Sequence, residues 1–172
     1  MPNKNSEMQN IENLQRWFTK KIPEVRDLNY WQRLKALHMY SQERRLERYR
    51  ILYTWKILEG MAPNCGLEVA QSDRRGRLLK VPNLKGKQSV KSLREQSFQV
   101  NGPQLFNSLP KQIRNMTKVS VDDFKEKVDK YLENISDEPH VDGLIPSGCN
   151  LFSAAPSNSI LDQVRGIRRP GA

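Results

Sequence analysis

Cysteine and histidine are nearly absent, with two of each in 172 residues: Cys65, Cys149, His38 and His140. No two of them fall at the short spacing of a zinc-ligand pair, which argues against a structural metal, and two distant cysteines make no disulfide framework. The expectation is a reduced intracellular chain, in cytoplasm or nucleus and not secreted. Long apolar runs are missing too. None approaches the about 20 residues that cross a bilayer, and Met1 to Ser6 lacks the apolar core of a signal peptide. There is no glycine-rich phosphate loop, no serine-centred elbow and no clustered ligand set. These absences predict no enzyme, no cofactor, no membrane and no small-molecule substrate.

What is present is positive charge. The net charge is +10, and it is unevenly placed. Residues 61–118 carry 11 Lys or Arg against 3 Asp or Glu, whereas residues 1–60 carry 12 against 7. A field of this sign attracts polyanions, and each phosphate neutralised releases counterions. The candidate contacts are Arg44, Arg45 and Arg48 at helical spacing, then the dense cluster Arg74, Arg75, Arg77 and Lys80, extended by Lys85 and Lys87. Tyr40 or Tyr53 offers a ring for stacking. Glu43 and Glu47 weaken the first group, because they can pair with neighbouring arginines.

The apolar pattern predicts a mainly α fold. Met8, Ile11, Leu14 and Phe18 line one face of a helix from about residue 6 to 21, with Pro23 just past its end. Asn29 and Gln32 have the spacing of a capping box for a second helix. Ser41 caps a third that ends near Gly60, its charged first half expected to protrude and its second half to enter the core. Leu78 to Val81 suits a short strand within 67–99, and a helix fits about 97–109. Ser120 opens a final helix whose buried stripe is Val121, Phe124, Val128, Tyr131 and Leu132. Residues 6–135 thus read as a small helical domain with at most a short strand pair. Residues 136–172, rich in Pro, Ser, Asn, Gly and Asp, read as a disordered tail in which Ile160 to Arg169 becomes helical only against a partner.

Two acidic groups imitate chemistry. Asp122 and Asp123 resemble a polymerase metal pair, but they sit where a helix start favours negative charge. Asp137, Glu138, His140 and Asp142 lie in the expected tail, where nothing holds ligands in place.

An ordered series of phrases resembles one family. Leu14-Gln15-Arg16, Phe18-Thr19-Lys20, Ile22-Pro23, Leu28-Asn29-Tyr30 and Arg33-Leu34 come first. Glu43-Arg44-Arg45 follows, then Tyr53-Thr54-Trp55-Lys56-Ile57-Leu58-Glu59-Gly60, Leu105-Phe106-Asn107-Ser108-Leu109-Pro110 and Val121-Asp122-Asp123-Phe124-Lys125. Over about residues 8–135 this is similar to the segment beyond the catalytic palm in non-LTR retrotransposon reverse transcriptases of jockey-like or chicken-repeat-like clades. Phe106 stands where that family more often has Trp, and Trp17 where a basic residue is common. The resemblance implies a thumb and post-thumb fragment that grips DNA or RNA backbone, with a polymerase palm domain as a further partner. The family's catalytic aspartates belong to the palm and have no counterpart in this chain. The alternatives are a protein-interaction fragment docking through an exposed apolar helix face, or an element remnant without a function of its own.

Overall fold

The computed structural model describes residues 4–70, 75–83, 94, 97–138 and 159–167. Among these the chain is mainly helical, with seven helices and one two-stranded hairpin. The helices are α1 (Lys4–Thr19), α2 (Tyr30–Ala36), α3 (Gln42–Leu58), α4 (Phe98–Ser108), α5 (Lys111–Arg114), α6 (Val121–Leu132) and α7 (Ile160–Ile167). The strands β1 (Val69–Ala70) and β2 (Leu78–Leu79) pair antiparallel, Val69 opposite Leu79 and Ala70 opposite Leu78.

α3 and α4 form the central pair, and their approach is set by one glycine. A Cβ at Gly102 would lie 2.9 Å from Thr54 Oγ1 and 3.1 Å from the Phe98 ring, so only hydrogen fits there. α4 continues through Pro103, burying Val100, Leu105 and Phe106. α6 closes the core with Phe124, Val128 and Leu132, all buried as the three- and four-residue spacing predicts. The Phe124 ring stacks on Trp55 with centroids 4.4 Å apart, and Trp55 Nε1 donates to the Met116 carbonyl at 2.9 Å. Both ends of the indole are thereby satisfied, apolar face and polar edge alike. The hairpin is tied to α4 by Asn107, whose side chain accepts from Leu79 N and donates to Leu79 O at 2.9 and 2.8 Å. One amide thus stands in for a third strand.

The local stop and start signals are present as expected. Asn29 and Gln32 form the capping box of α2, and the Ser41 and Ser120 hydroxyls accept from Arg44 N and Asp123 N. Gly60 follows α3 with φ +74°, the left-handed geometry that favours glycine at a helix end.

α1 departs from expectation. Its apolar stripe does not face the body: Ile11, Leu14, Trp17 and Phe18 are 49%, 64%, 59% and 62% exposed. The face turned inward is polar, with Gln15 and Thr19 buried. The reason lies in what α1 meets. The first turn of α3 presents backbone N–H groups that no helix carbonyl can accept. Glu12 fills that need, its two oxygens accepting from Gln42 N at 2.7 Å and from the Tyr30 hydroxyl at 2.5 Å. Gln15 Nε2 donates to Tyr30 Oη and to the Tyr40 carbonyl at 3.2 and 3.0 Å, and its Oε1 accepts from Gln42 Nε2. Arg33, buried beneath, donates to the Leu28 carbonyl at 2.6 Å and to Thr19 Oγ1 at 3.2 Å.

The first half of α3 also departs from expectation. Arg44 and Glu47 do not protrude but are buried, and each holds part of the C-terminal region. Arg44 donates to the carbonyls of Ile135 and Ser136 at 3.3 and 2.7 Å, and its Nε lies 3.8 Å from Asp137. Glu47 receives the start of α7. The expected tail is therefore divided. Residues 136–138 and 159–164 lie against the body, with Ile160 fully buried in the core, while 139–158 and 168–172 lie outside the described residues.

Candidate nucleic-acid interface

The basic cluster of the hairpin is organised by its turn. Gly76 has φ +71°, and a Cβ there would lie 2.6 Å from Asn115 Oδ1 and 2.9 Å from Lys111 Cγ. The turn accordingly lies flat on the end of α5. Arg114 fastens it: this buried guanidinium donates to the carbonyls of Leu109, Arg77 and Arg75 at 2.9, 2.6 and 3.1 Å. Asn115 Oδ1 adds a bond from Arg77 N at 2.8 Å.

Arg77 points back to the end of α3, donating to Glu59 Oε1 at 2.6 Å and the Leu58 carbonyl at 2.9 Å. The second oxygen of Glu59 accepts from Lys118 N at 2.8 Å. Burial opposes ionisation of Glu59, yet the Lys118 N–H and the Arg77 guanidinium together hold its carboxyl below the usual range. Arg77, Arg114 and Glu59 thus build a rigid platform. Among the described residues, Arg75, Lys111 and Lys118 are exposed on it. Charge density along the sequence does not single out Lys111 or Lys118. A signal for the first was present in Leu109-Pro110-Lys111, where Pro110 stands just before the short α5 that carries Lys111 beside Gly76.

The nine candidate phosphate ligands fare unequally. Arg75 is exposed on the platform, and Arg77 is half-buried and paired within it. Lys80 is exposed, in a wet pair with Glu68 at 2.8 Å, an attraction that solvent and salt weaken. Arg45 is half-buried, with one nitrogen 3.5 Å from Gln15 Oε1. Arg48 is half-buried and held by both oxygens of Asp129, and that bond raises its already high pKa. Arg44 is a correction. It is 0% exposed, and with its guanidinium engaged by the Ile135 and Ser136 carbonyls it cannot reach a phosphate. Arg74, Lys85 and Lys87 lie outside the described residues.

Of the two rings that could stack on bases, Tyr40 is half-buried, and burial pushes its hydroxyl up to about 12. Tyr53 is exposed on α3, its ring edge-on to Phe98 at 5.3 Å, and Tyr49 one turn earlier is exposed as well. Asp122 is an exposed helix-start acid paired with Lys125 at 2.9 Å, and Asp123 Oδ2 accepts from Ser120 Oγ at 2.7 Å. Among the described residues no group of three His, Cys, Asp or Glu side chains is placed to hold a metal ion, and no helix is long and apolar enough to cross a membrane. No family model, curated protein or solved structure matches the chain.

Proposed function

We propose that the chain is a binder of nucleic-acid backbone, derived from the region beyond the palm of a retrotransposon reverse transcriptase and without polymerising chemistry of its own. The observation that carries this reading is the platform. Among the described residues, Arg75, Lys111 and Lys118 are exposed near Glu59, whose two oxygens accept from Arg77 and the Lys118 N–H. Among the described residues here the cations outnumber the acid, which favours a positive field for phosphates, and contacts to phosphate carry no base information. Tyr49 and Tyr53 add sequence-tolerant rings on α3.

The test is the salt dependence of binding to unrelated duplexes and single strands. Replacing Arg75, Lys111 and Lys118 by Ala should weaken all of them by similar factors. It should also flatten the slope of log affinity against log salt by up to about one unit for each phosphate no longer neutralised. Unchanged binding on an intact fold would sink the reading.

A second reading, docking on a larger protein, is favoured by the outward face of α1. Ile11, Leu14, Trp17 and Phe18 form a contiguous apolar stripe of the kind that marks interaction surfaces. The partner this reading names is a polymerase palm domain, in keeping with the resemblance. Apolar docking differs from phosphate binding in showing no steep fall of affinity with salt.

A further inference from the structure

We propose that the outward face of α1 is a self-association surface, on which two copies of the chain pair antiparallel about a two-fold axis at Leu14.

Among the described residues nothing covers the stripe of Ile11, Leu14, Trp17 and Phe18. α1 cannot turn it inward, because the opposite side of the helix is committed. Gln15 and Thr19 are buried there, and Glu12 and Gln15 hold the chain where α3 begins.

The charges at the two ends of the stripe indicate what fits it. Glu7 and Lys21 are both exposed, and Leu14 lies midway between them, seven residues from each. Seven residues are nearly two helical turns, about 10 Å along the axis, so the three fall on one line. Lys21 lies just past the end of α1, but the spiral continues to it: Lys20 N and Lys21 N donate to Arg16 O and Phe18 O at 3.3 and 2.9 Å. Its ammonium sits 5.2 Å from the centre of the Trp17 ring, at the edge of the apolar stripe. An acid thus closes one end of the stripe and a base the other.

A second α1 laid antiparallel, Leu14 against Leu14, brings Glu7 of each copy to Lys21 of the other. The same pair forms twice. A parallel copy would set like charges together at both ends. The face is therefore its own complement in one orientation, as an isologous two-fold contact requires. This favours a second copy over a palm domain as the occupant, since the stripe itself supplies both halves of the charge pattern.

The area sets the strength. The exposed remainder of the four apolar side chains is on the order of 500 Å² in each copy, so the pair buries about 1,000 Å² in all, the lower edge of specific interfaces. A contact of this size suits a weak, reversible dimer with Kd on the order of 10–100 µM. The solvated end pairs fix direction more than they add affinity. None of the platform cations takes part, so this inference stands apart from the backbone-binding reading.

The test is sedimentation equilibrium of the full chain without nucleic acid, at loadings from about 5 to about 500 µM. The mass should rise with concentration from 20.0 kDa toward twice that value. Leu14→Asp should remain monomeric throughout, with an unchanged unfolding midpoint because the site is exposed. Glu7→Lys and Lys21→Glu leave the apolar stripe intact, and each should weaken association by about tenfold by turning both end pairs repulsive. The double variant Glu7→Lys with Lys21→Glu should restore it. A single mass at every loading overturns the proposal and leaves a larger protein as the occupant of the stripe. A dimer that survives Leu14→Asp overturns it too, and so does a double variant no stronger than the singles.

Discussion

Arg48 and Asp129 face each other across α3 and α6, with two guanidinium nitrogens on the two carboxylate oxygens at 2.5 and 2.6 Å. This fork-to-fork pairing joins residues that lie 81 positions apart in the chain. An arginine that looks like a phosphate ligand in the sequence is thus part of the fastening of α6 to α3. Arg48→Ala should lower stability by about 1–2 kcal/mol in denaturant unfolding, since the pair is partly shielded from solvent and bidentate. The salt slope of nucleic-acid binding should stay as it was. A flattened slope with unchanged stability would return Arg48 to the binding surface.

Arg44 should behave more severely. Its removal takes a charged donor from the Ile135 and Ser136 carbonyls and a cation from beside Asp137. Arg44→Ala should cost about 3 kcal/mol. Because bonding is the point, Arg44→Met, which fills the volume without the charge, should cost nearly as much as alanine does. A much smaller loss for methionine would mean that packing, not bonding, is what Arg44 supplies.

These two arginines show how far the sequence could be read. Signals confined to one turn of chain were legible: the Asn29–Gln32 box, the Ser120 cap and the Gly60 stop each carry their reason within four residues. The buried stripe of α6 was legible for the same cause, periodicity being local. The orientation of α1 was not. Periodicity shows that Ile11, Leu14 and Phe18 share a face, but which face meets the body depends on the backbone N–H groups that open α3, and Glu12 and Gln15 satisfy that end from the other side. Arg44 was illegible because its partners lie more than 90 residues away, in a stretch whose composition resembles a tail. On the platform, Arg75 could be named from charge density alone. Lys111 and Lys118 reach it only through the turn at Gly76 and the bonds to Glu59.

Gly102 should tolerate no side chain. Thr54 Oγ1, 2.9 Å from the added Cβ, belongs to a buried, β-branched residue of α3 and has little freedom to withdraw. Gly102→Ala should therefore destabilise by about 1–3 kcal/mol although alanine is the better helix former. Pairing it with Thr54→Ser would not help, since the hydroxyl remains; Thr54→Ala should recover part of the loss. Thermal midpoints of the single and double variants would decide, and simple additivity would show that the two sites do not touch.

The acidic pair at the start of α6 should be inert in catalysis. Asp122 is exposed and paired with Lys125, and Asp123 shares hydrogen bonds with Ser120. Ser120→Ala should cost about 1 kcal/mol through loss of the cap. Purified protein should not extend a primer with magnesium or manganese. Reproducible extension that disappears in Asp122→Asn would make the pair a metal site.

The segment after α6 provides the last test, because composition and structure disagree about residues 136–138 and 159–164 of it. A disordered tail from residue 136 predicts that removing 137–172 leaves stability unchanged. The structure gives Asp137 both the Ser41 N–H and the Ser41 hydroxyl at 2.7 Å, so this carboxylate completes the start of α3 from 96 residues away. Ile160, fully buried, completes the core beyond it. Asp137→Ala should cost about 2 kcal/mol, the penalty for leaving a partly buried helix start without its charged acceptor. Ile160→Ala should cost about 2–4 kcal/mol as a large-to-small change in a packed site. Ending the chain after Ser136 removes both interactions, so its loss should exceed either single variant. If the shortened chain unfolds at the same denaturant concentration as the full one, with an equal slope, neither interaction contributes to the fold. If the shortened chain is destabilised while Asp137→Ala is not, the whole contribution belongs to α7, and Arg44 holds only the end of α6.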